Sequence, residues 1–359
     1  MTTASVPQSR VTVDAERLEA LVVRIFGSFG MPDEAARITA RGLVAADLRG
    51  HESHGVSNYL DVYYQPGLQS GLINPTPSMR LLQETETTAR WDGDGGIGFV
   101  VAERAMRDAI ERARRHGVGF ASVANSRHYG MAQLYSRMAL EHDMIGISMT
   151  NGGALAVPFR GADPRLGTNP ISVAVPCSEE PPFVLDMATT AAAMGKILNA
   201  QRDGLPIPAE WAFGVAGVPT TDAQDAMDAA RLLPLGSTAT GGGHKGYGLA
   251  VVVEILCGVL SGTGFGSMLG PDNLGHFVGA IRIDAFIPVA GFKVMMDALV
   301  RELRATPPAA GYQQVLVAGD PEHLAEADRR VNGIPLHPRV LEMLRTYAAD
   351  LGVPFDLVR

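Results

Sequence analysis

Apolar residues at Leu18, Leu21, Val22 and Ile25 recur at helical spacing, which predicts a helix opened by Asp14 as cap and closed at Gly30. Pro32 and Asp33 open a second helix, carried through Ile38 and Leu43 toward Leu48. It runs out into RGHESHG, residues 49–55, a polar segment delivered by a rigid element and suited to side chains that must be aimed. From about Met79 the pattern changes. Apolar segments at 118–123, 145–150, 171–175 and 183–185 alternate with turns rich in glycine and proline. Helical stretches are expected at 101–116 and 131–142, a buried helix over 246–260, and helices over 320–349 that close the chain. The pattern describes a mixed α/β fold, a central mixed sheet with a helical part built from both termini. Boundaries are drawn at 1–78, 79–310 (a central region with a helical subdomain) and 311–359, with the first ten or so residues a loose arm.

A chain of 359 residues suits two or three packed subdomains, and 46% apolar against 19% charged residues is ordinary for a globular protein. The 41 glycines and 23 prolines sit between apolar segments and so mark turns of an ordered chain. A net charge of −8 disfavours nucleic acid and acidic membranes as partners, and it means that an anionic substrate needs locally placed donors. Cys177 and Cys257 have no metal-type spacing and read as reduced core residues. The N-terminus has no apolar run, and the longest apolar stretch, 249–260, contains Glu254 and falls far short of a bilayer; the expected compartment is the cytoplasm.

Two motifs invite readings that their surroundings oppose. Gly93, Gly95 and Gly98 match G-x-G-x-x-G, which binds phosphate only between a strand and a helix. The preceding TTARWD is short and polar, so the three read as turn glycines and no standard Rossmann domain is expected. His51 and His54 in HESH are one residue too close for the HExxH zinc pattern, and no metal site is expected.

Four polar, glycine-flanked segments remain. Ser53 and His54 pair a hydroxyl with an acid/base group that titrates near neutral pH, although a capping serine beside a structural histidine would look the same. Residues 125–130, with Ser126 and His128, precede a helix start that suits an anion, or hold an ordinary cap. Thr168 in GTNP is followed by Asp186, Met187 and Ala188 at a strand's end, where a carboxylate can take ribose hydroxyls or simply form a turn. His244 and Lys245 follow three glycines just ahead of a helix, an arrangement for phosphate or carboxylate, or a solvated loop.

Taken in order, GHESHG (50–55), GLINP (71–75), WDGDGGIG (91–98), NSRHYG (125–130), LGTNP (166–170), LDMAT (185–189), PLG (234–236), GHKGYGLA (243–250) and NLGHF (273–277) resemble the type-2 malate/L-lactate dehydrogenase family. Ureidoglycolate, sulfolactate and diketogulonate oxidoreductases and the piperideine-carboxylate reductases are members. The resemblance implies a nicotinamide-binding fold distinct from Rossmann, of the sulfolactate dehydrogenase type, and a homodimer with its active site near the subunit interface. It implies hydride transfer between NAD or NADP, leaning to NAD, and a small 2-oxo or 2-hydroxy acid. His54 is implied as proton donor with Ser53 as relay; His128 is the alternative acid/base, and His54 is favoured. Asn58, Thr168, Met194 and Gly195 fall at or near substrate positions. Ser126, Asp186, Met187, Ala188, His244, Lys245, Gly319 and Asp320 fall at cofactor positions.

One departure stands out. The family places an arginine shortly after S-H-G to grip a substrate carboxylate, yet residues 56–65 hold no Arg or Lys. Either another cation, such as Arg127 or Arg160, takes over, or the substrate differs, with a neutral or amine group near Asp61. A cyclic imino acid reductase using the same histidine and a non-catalytic nucleotide-binding protein are the rival readings.

Overall fold

A computed structural model describes residues 10–270 and 273–358; most of the expected N-terminal arm lies outside them. Helix α1, Ala15–Ser28, starts where Asp14 Oδ1 accepts the Arg17 N–H at 2.9 Å. It buries Leu18, Leu21, Val22, Ile25 and Phe26 on one face. Gly30, at φ +80°, makes the turn into α2, Asp33–Leu48. The chain's other end packs on the same core through Val340, Leu341 and Leu344, and strand Val11–Val13 pairs antiparallel with Ile334–Leu336. The helical part is therefore built from both termini, as the pattern required.

The central sheet has seven strands: β1 (Arg80–Glu84), β2 (Thr88–Gly96), β3 (Val118–Ser126), β4 (Met144–Thr150), β5 (Ile171–Val175), β6 (Phe183–Met187) and β7 (Leu274–Arg282). Their order is β1-β2-β3-β7-β4-β5-β6, with β2–β3 the parallel pair and the other neighbours antiparallel. Helix α3, Gly98–His116, crosses between β2 and β3 and buries Val101, Ala105 and Ala109 on the sheet. A third, smaller core gathers Ala156, Ile197, Ala212, Ala226 and Leu232, with Ile197 coming from α4, Met194–Asp203. Helices α5 (Gly243–Glu254), α6 (Val289–Arg304), α7 (Asp320–Asn332) and α8 (Pro338–Asp350) complete the longer elements.

Two expectations are corrected. TARWD, residues 88–92, opens a nine-residue strand, and a helix does follow the glycine motif. The glycines nevertheless serve packing: a Cβ on Gly98 would stand 2.2 Å from the Arg127 carbonyl, and one on Gly93 2.8 Å from that of Asn125. Only Gly95, at φ +65°, is a turn glycine. The helix expected to be buried over 246–260 is α5 continued by the π turn Ile255–Val259, and it leaves Leu249, Val252, Ile255 and Val259 exposed along one side. Apolarity alone does not tell a core from a surface awaiting a partner.

Candidate active site

Past Gly50 (φ +76°) the chain turns through the 3-10 segment Glu52–His54. The turn is held from behind by Asp47, whose fully buried carboxylate accepts the Val56 N–H at 2.9 Å. Gly55 makes that approach possible, since a Cβ there would lie 2.0 Å from Asp47 Oδ1. Burial pushes the Asp47 carboxyl up to about 8. On the other flank Arg49 donates to Gln133 Oε1 and to Glu326 Oε2, each at 2.6 Å. The Gln133 N–H in turn donates to Asp186 Oδ2 at 2.9 Å. His51 pairs with Glu322 at 3.2 Å, so the loop is fixed to α7 and to the end of β6 together.

A cleft of about 300 Å³ opens over this loop. Its lining gathers His51, Ser53 and His54; Gly130, Met131 and Ala132 after β3; Thr168 with Asp186, Met187 and Ala188 at the sheet; Ala193 and Lys196 at the start of α4; and Leu235. His54 Nδ1 lies 2.9 Å from Ser53 Oγ, and its Nε2 has no hydrogen-bond partner among the described residues. Burial, then the charges of His51 and Lys196, bring the His54 pKa down to about 4, so the ring is neutral near pH 7. Burial likewise raises the pKa of Asp186. The Thr168 hydroxyl makes no hydrogen bond among the described residues.

His128 is not part of the cleft wall. Its ring stacks on Tyr59 at 4.0 Å and 5°, and its Nδ1 accepts the Tyr64 hydroxyl at 2.5 Å. The Gly130 N–H reaches the same nitrogen at 3.4 Å, which makes Nδ1 an acceptor and puts the ring proton on Nε2. Burial holds His128 well below the usual histidine range. His54 stacks alongside, 5.9 Å from His128. The residues that seat His128, Tyr59 and Tyr64, carried no signal in the sequence beyond being aromatic.

The remaining expected site residues divide. Met194 and Gly195 begin α4 beside the cleft, and a Cβ on Gly195 would come 2.6 Å from the Ser53 carbonyl. His244 and Lys245 are exposed at the start of α5; Gly246 in the same turn packs so tightly on Leu235, a cleft residue, that a Cβ would lie 2.4 Å from its carbonyl. Asn58 does not line the cleft: its amide donates to Glu52 O and Asn199 Oδ1, and its oxygen accepts from Arg202 at 2.6 Å. Ser126 is fully buried, 2.8 Å from His276 Nε2. Asp320 is held by Arg304 at 2.6 Å and accepts the Val317 N–H at 2.8 Å, and Gly319 (φ +101°) turns against β6. Of the cations considered for the missing arginine, Arg127 donates to the carbonyls of Leu72 and Ser126, and Arg160 lines a different pocket beside Phe159. Asp61 is exposed and accepts the Tyr347 hydroxyl. Lys196 was missed, because one lysine in an amphipathic helix looks like an ordinary surface residue.

Residues 13–345 match the family model described as malate/L-lactate dehydrogenase. The chain belongs to this family. It is 39% identical over 354 residues to a malate dehydrogenase of Pyrococcus horikoshii, covering 97% of this chain and 98% of that one. The solved structure of that enzyme superposes with a TM-score of 0.88 at 38% identity, over 96% and 97% of the two chains. A ureidoglycolate dehydrogenase (NAD(+)) of Escherichia coli K12 is 33% identical over 92% of this chain and 94% of its own. The structure of a Δ1-piperideine-2-carboxylate reductase from Pseudomonas syringae pv. tomato gives a TM-score of 0.81 at 28% identity, over 94% and 100%. As a member of the malate/L-lactate dehydrogenase family, the protein is an oxidoreductase acting on CH–OH groups.

Proposed function

We propose that the protein is a nicotinamide-dependent dehydrogenase of a small 2-hydroxy acid, working at the cleft around His54. The observation that carries this is one cleft lined by a neutral imidazole paired to a serine, and by a threonine hydroxyl and a lysine ammonium that have no partner among the described residues. These are the groups that proton transfer and a carboxylate call for.

The residues present fit a dinucleotide. The Asp186 carboxylate, the cleft-lining Met187 and Ala188, and the exposed His244 and Lys245 past the Leu235 wall supply a ribose acceptor, an apolar contact and donors for an anion. When bound, the nicotinamide supplies or accepts the hydride at the substrate's reacting carbon. His54, neutral in the free site, takes the hydroxyl proton in oxidation; in reduction it delivers a proton to the developing oxyanion. The Ser53 hydroxyl on Nδ1 fixes the ring and passes the proton on. The Thr168 hydroxyl is placed to donate to a substrate oxygen.

NAD is the proposed cofactor, as in the name of the ureidoglycolate relative. The exposed apolar sides of α5 (Leu249, Val252) and α6 (Val294, Met295, Leu299) are proposed to pack in a homodimer. Imine reduction is the second reading, favoured by the absence of Arg and Lys from 56–65 and by the likeness to the piperideine-carboxylate reductase. The test is nicotinamide absorbance with a panel of pyruvate, oxaloacetate, ureidoglycolate, sulfolactate and cyclic imino acids. Turnover of the oxo or hydroxy acids supports the first reading, turnover of imino acids alone the second, and dinucleotide binding with no turnover removes both.

A further inference from the structure

With no arginine after S-H-G, another cation near the cleft must hold the carboxylate of a small acid. Arg49 is committed to Gln133 and Glu326. Arg127 is committed to two backbone carbonyls, and Arg160 lies in another pocket. Arg202 spends its guanidinium on Asn58 Oδ1 at 2.6 Å and on the Ser57 carbonyl at 3.0 Å. It ties α4 to the helical part and does not line the cleft.

Lys196 differs from all of these. It lines the cleft with Ser53, His54 and Thr168, is exposed to it, and has neither hydrogen bond nor ion pair among the described residues. Its backbone is locked to the same wall as the imidazole, because Gly195 packs on the Ser53 main chain with no room for a Cβ. Its charge is felt at His54, where it opposes protonation.

We propose that Lys196 is the residue that binds the substrate's carboxylate, replacing the missing arginine. This rests on the reading of the cleft as a hydroxy-acid site and names the group that makes it one. An ammonium offers three donors without the fixed fork of a guanidinium, so it holds the carboxylate as a point charge and tolerates more than one geometry at the neighbouring carbon. A second consequence follows for the acid/base. A carboxylate resting on Lys196 cancels the cationic charge facing His54, so the anionic substrate itself makes the imidazole easier to protonate in the reductive direction.

The test is calorimetric titration of oxalate and of oxamate into the full-length protein saturated with NADH, for wild type, Lys196→Gln, Lys196→Arg and, as control, Arg160→Gln. Lys196→Gln should weaken oxalate about 30-fold, the worth of one charged hydrogen bond. Lys196→Arg should recover most of it, and Arg160→Gln should match wild type. In the substrate panel, Lys196→Gln should raise KM for the acid far more than it lowers kcat, while the corresponding amide should be used equally by both proteins. Oxalate that binds wild type and Lys196→Gln equally, or does not bind wild type at all, overturns the proposal. Oxalate binding that depends on Lys196 in a protein that turns over none of the panel sustains the anion site and overturns the dehydrogenase reading instead.

Discussion

Two polar regions of this molecule have similar composition and opposite states. In the interior between β4, β5 and α5, the Asn169 amide donates to Glu254 Oε2 at 2.7 Å and to the Ala250 carbonyl at 2.9 Å, and Asn151 donates to the other Glu254 oxygen at 3.1 Å. Asn169 sits at φ +41°, a left-handed geometry that Asn accepts more readily than most residues. Every one of these groups is satisfied, so the region fixes the strand ends and has nothing left to offer a ligand. Across Thr168, one residue away, the cleft side shows the reverse: His54 Nε2, the Thr168 hydroxyl and the Lys196 ammonium have no partner among the described residues. Saturated polar groups build the frame, and those left open toward a cavity are the ones available for chemistry.

Substitutions can break each side of that contrast. The largest effect is expected at His54: His54→Gln should lower kcat about 1000-fold, the middle of the range for loss of an acid/base group, with dinucleotide affinity retained. His128→Asn should cost less, because that ring seats Tyr59 and Tyr64 behind the cleft; single-turnover rates of the two variants give the comparison. Asn169→Ala should act on stability, leaving a buried Glu254 oxygen unpaired and lowering the unfolding free energy by about 2 kcal/mol in a denaturant titration.

A pH-dependent effect concerns Asp47, the support beneath the His54 turn. Its folded value of about 8 lies above the 3.8 of an ordinary aspartate, so the folded state keeps this proton longer than the unfolded chain does. That contribution is complete below about pH 3.8 and is lost as the pH rises toward 8. Asp47→Asn removes the titration, and its stability should exceed wild type by several kcal/mol at pH 9 while losing that advantage at pH 4. Thermal unfolding at the two pH values measures it.

Much of this site could be read before folding, for a physical reason. Ser53, His54 and Thr168 stand in glycine-flanked polar runs, where side chains are aimed and the backbone comes close; Asp186, Met187 and Ala188 stand at a strand's end; and all six line the cleft. The strand at Ile171–Val175 was equally plain from its apolar run between turns. Lys196, Tyr59 and Tyr64 were not legible, since their roles depend on what three separate segments bring against them. Strand β2 hid because TARWDGDGG carries glycine and charge where a pleated pattern should alternate. The apolar runs of α5 and α6 show how much burial each helix requires, without saying whether the protein's own core supplies it.

We propose that His54, and not His128, exchanges the proton with the substrate. A crystal structure of the full chain with NADH and oxamate tests it most directly. His54 Nε2 is expected within about 3 Å of the oxamate carbonyl oxygen, with the carboxylate on Lys196. An oxamate oxygen on His128, or on neither imidazole and with no water between, would contradict it.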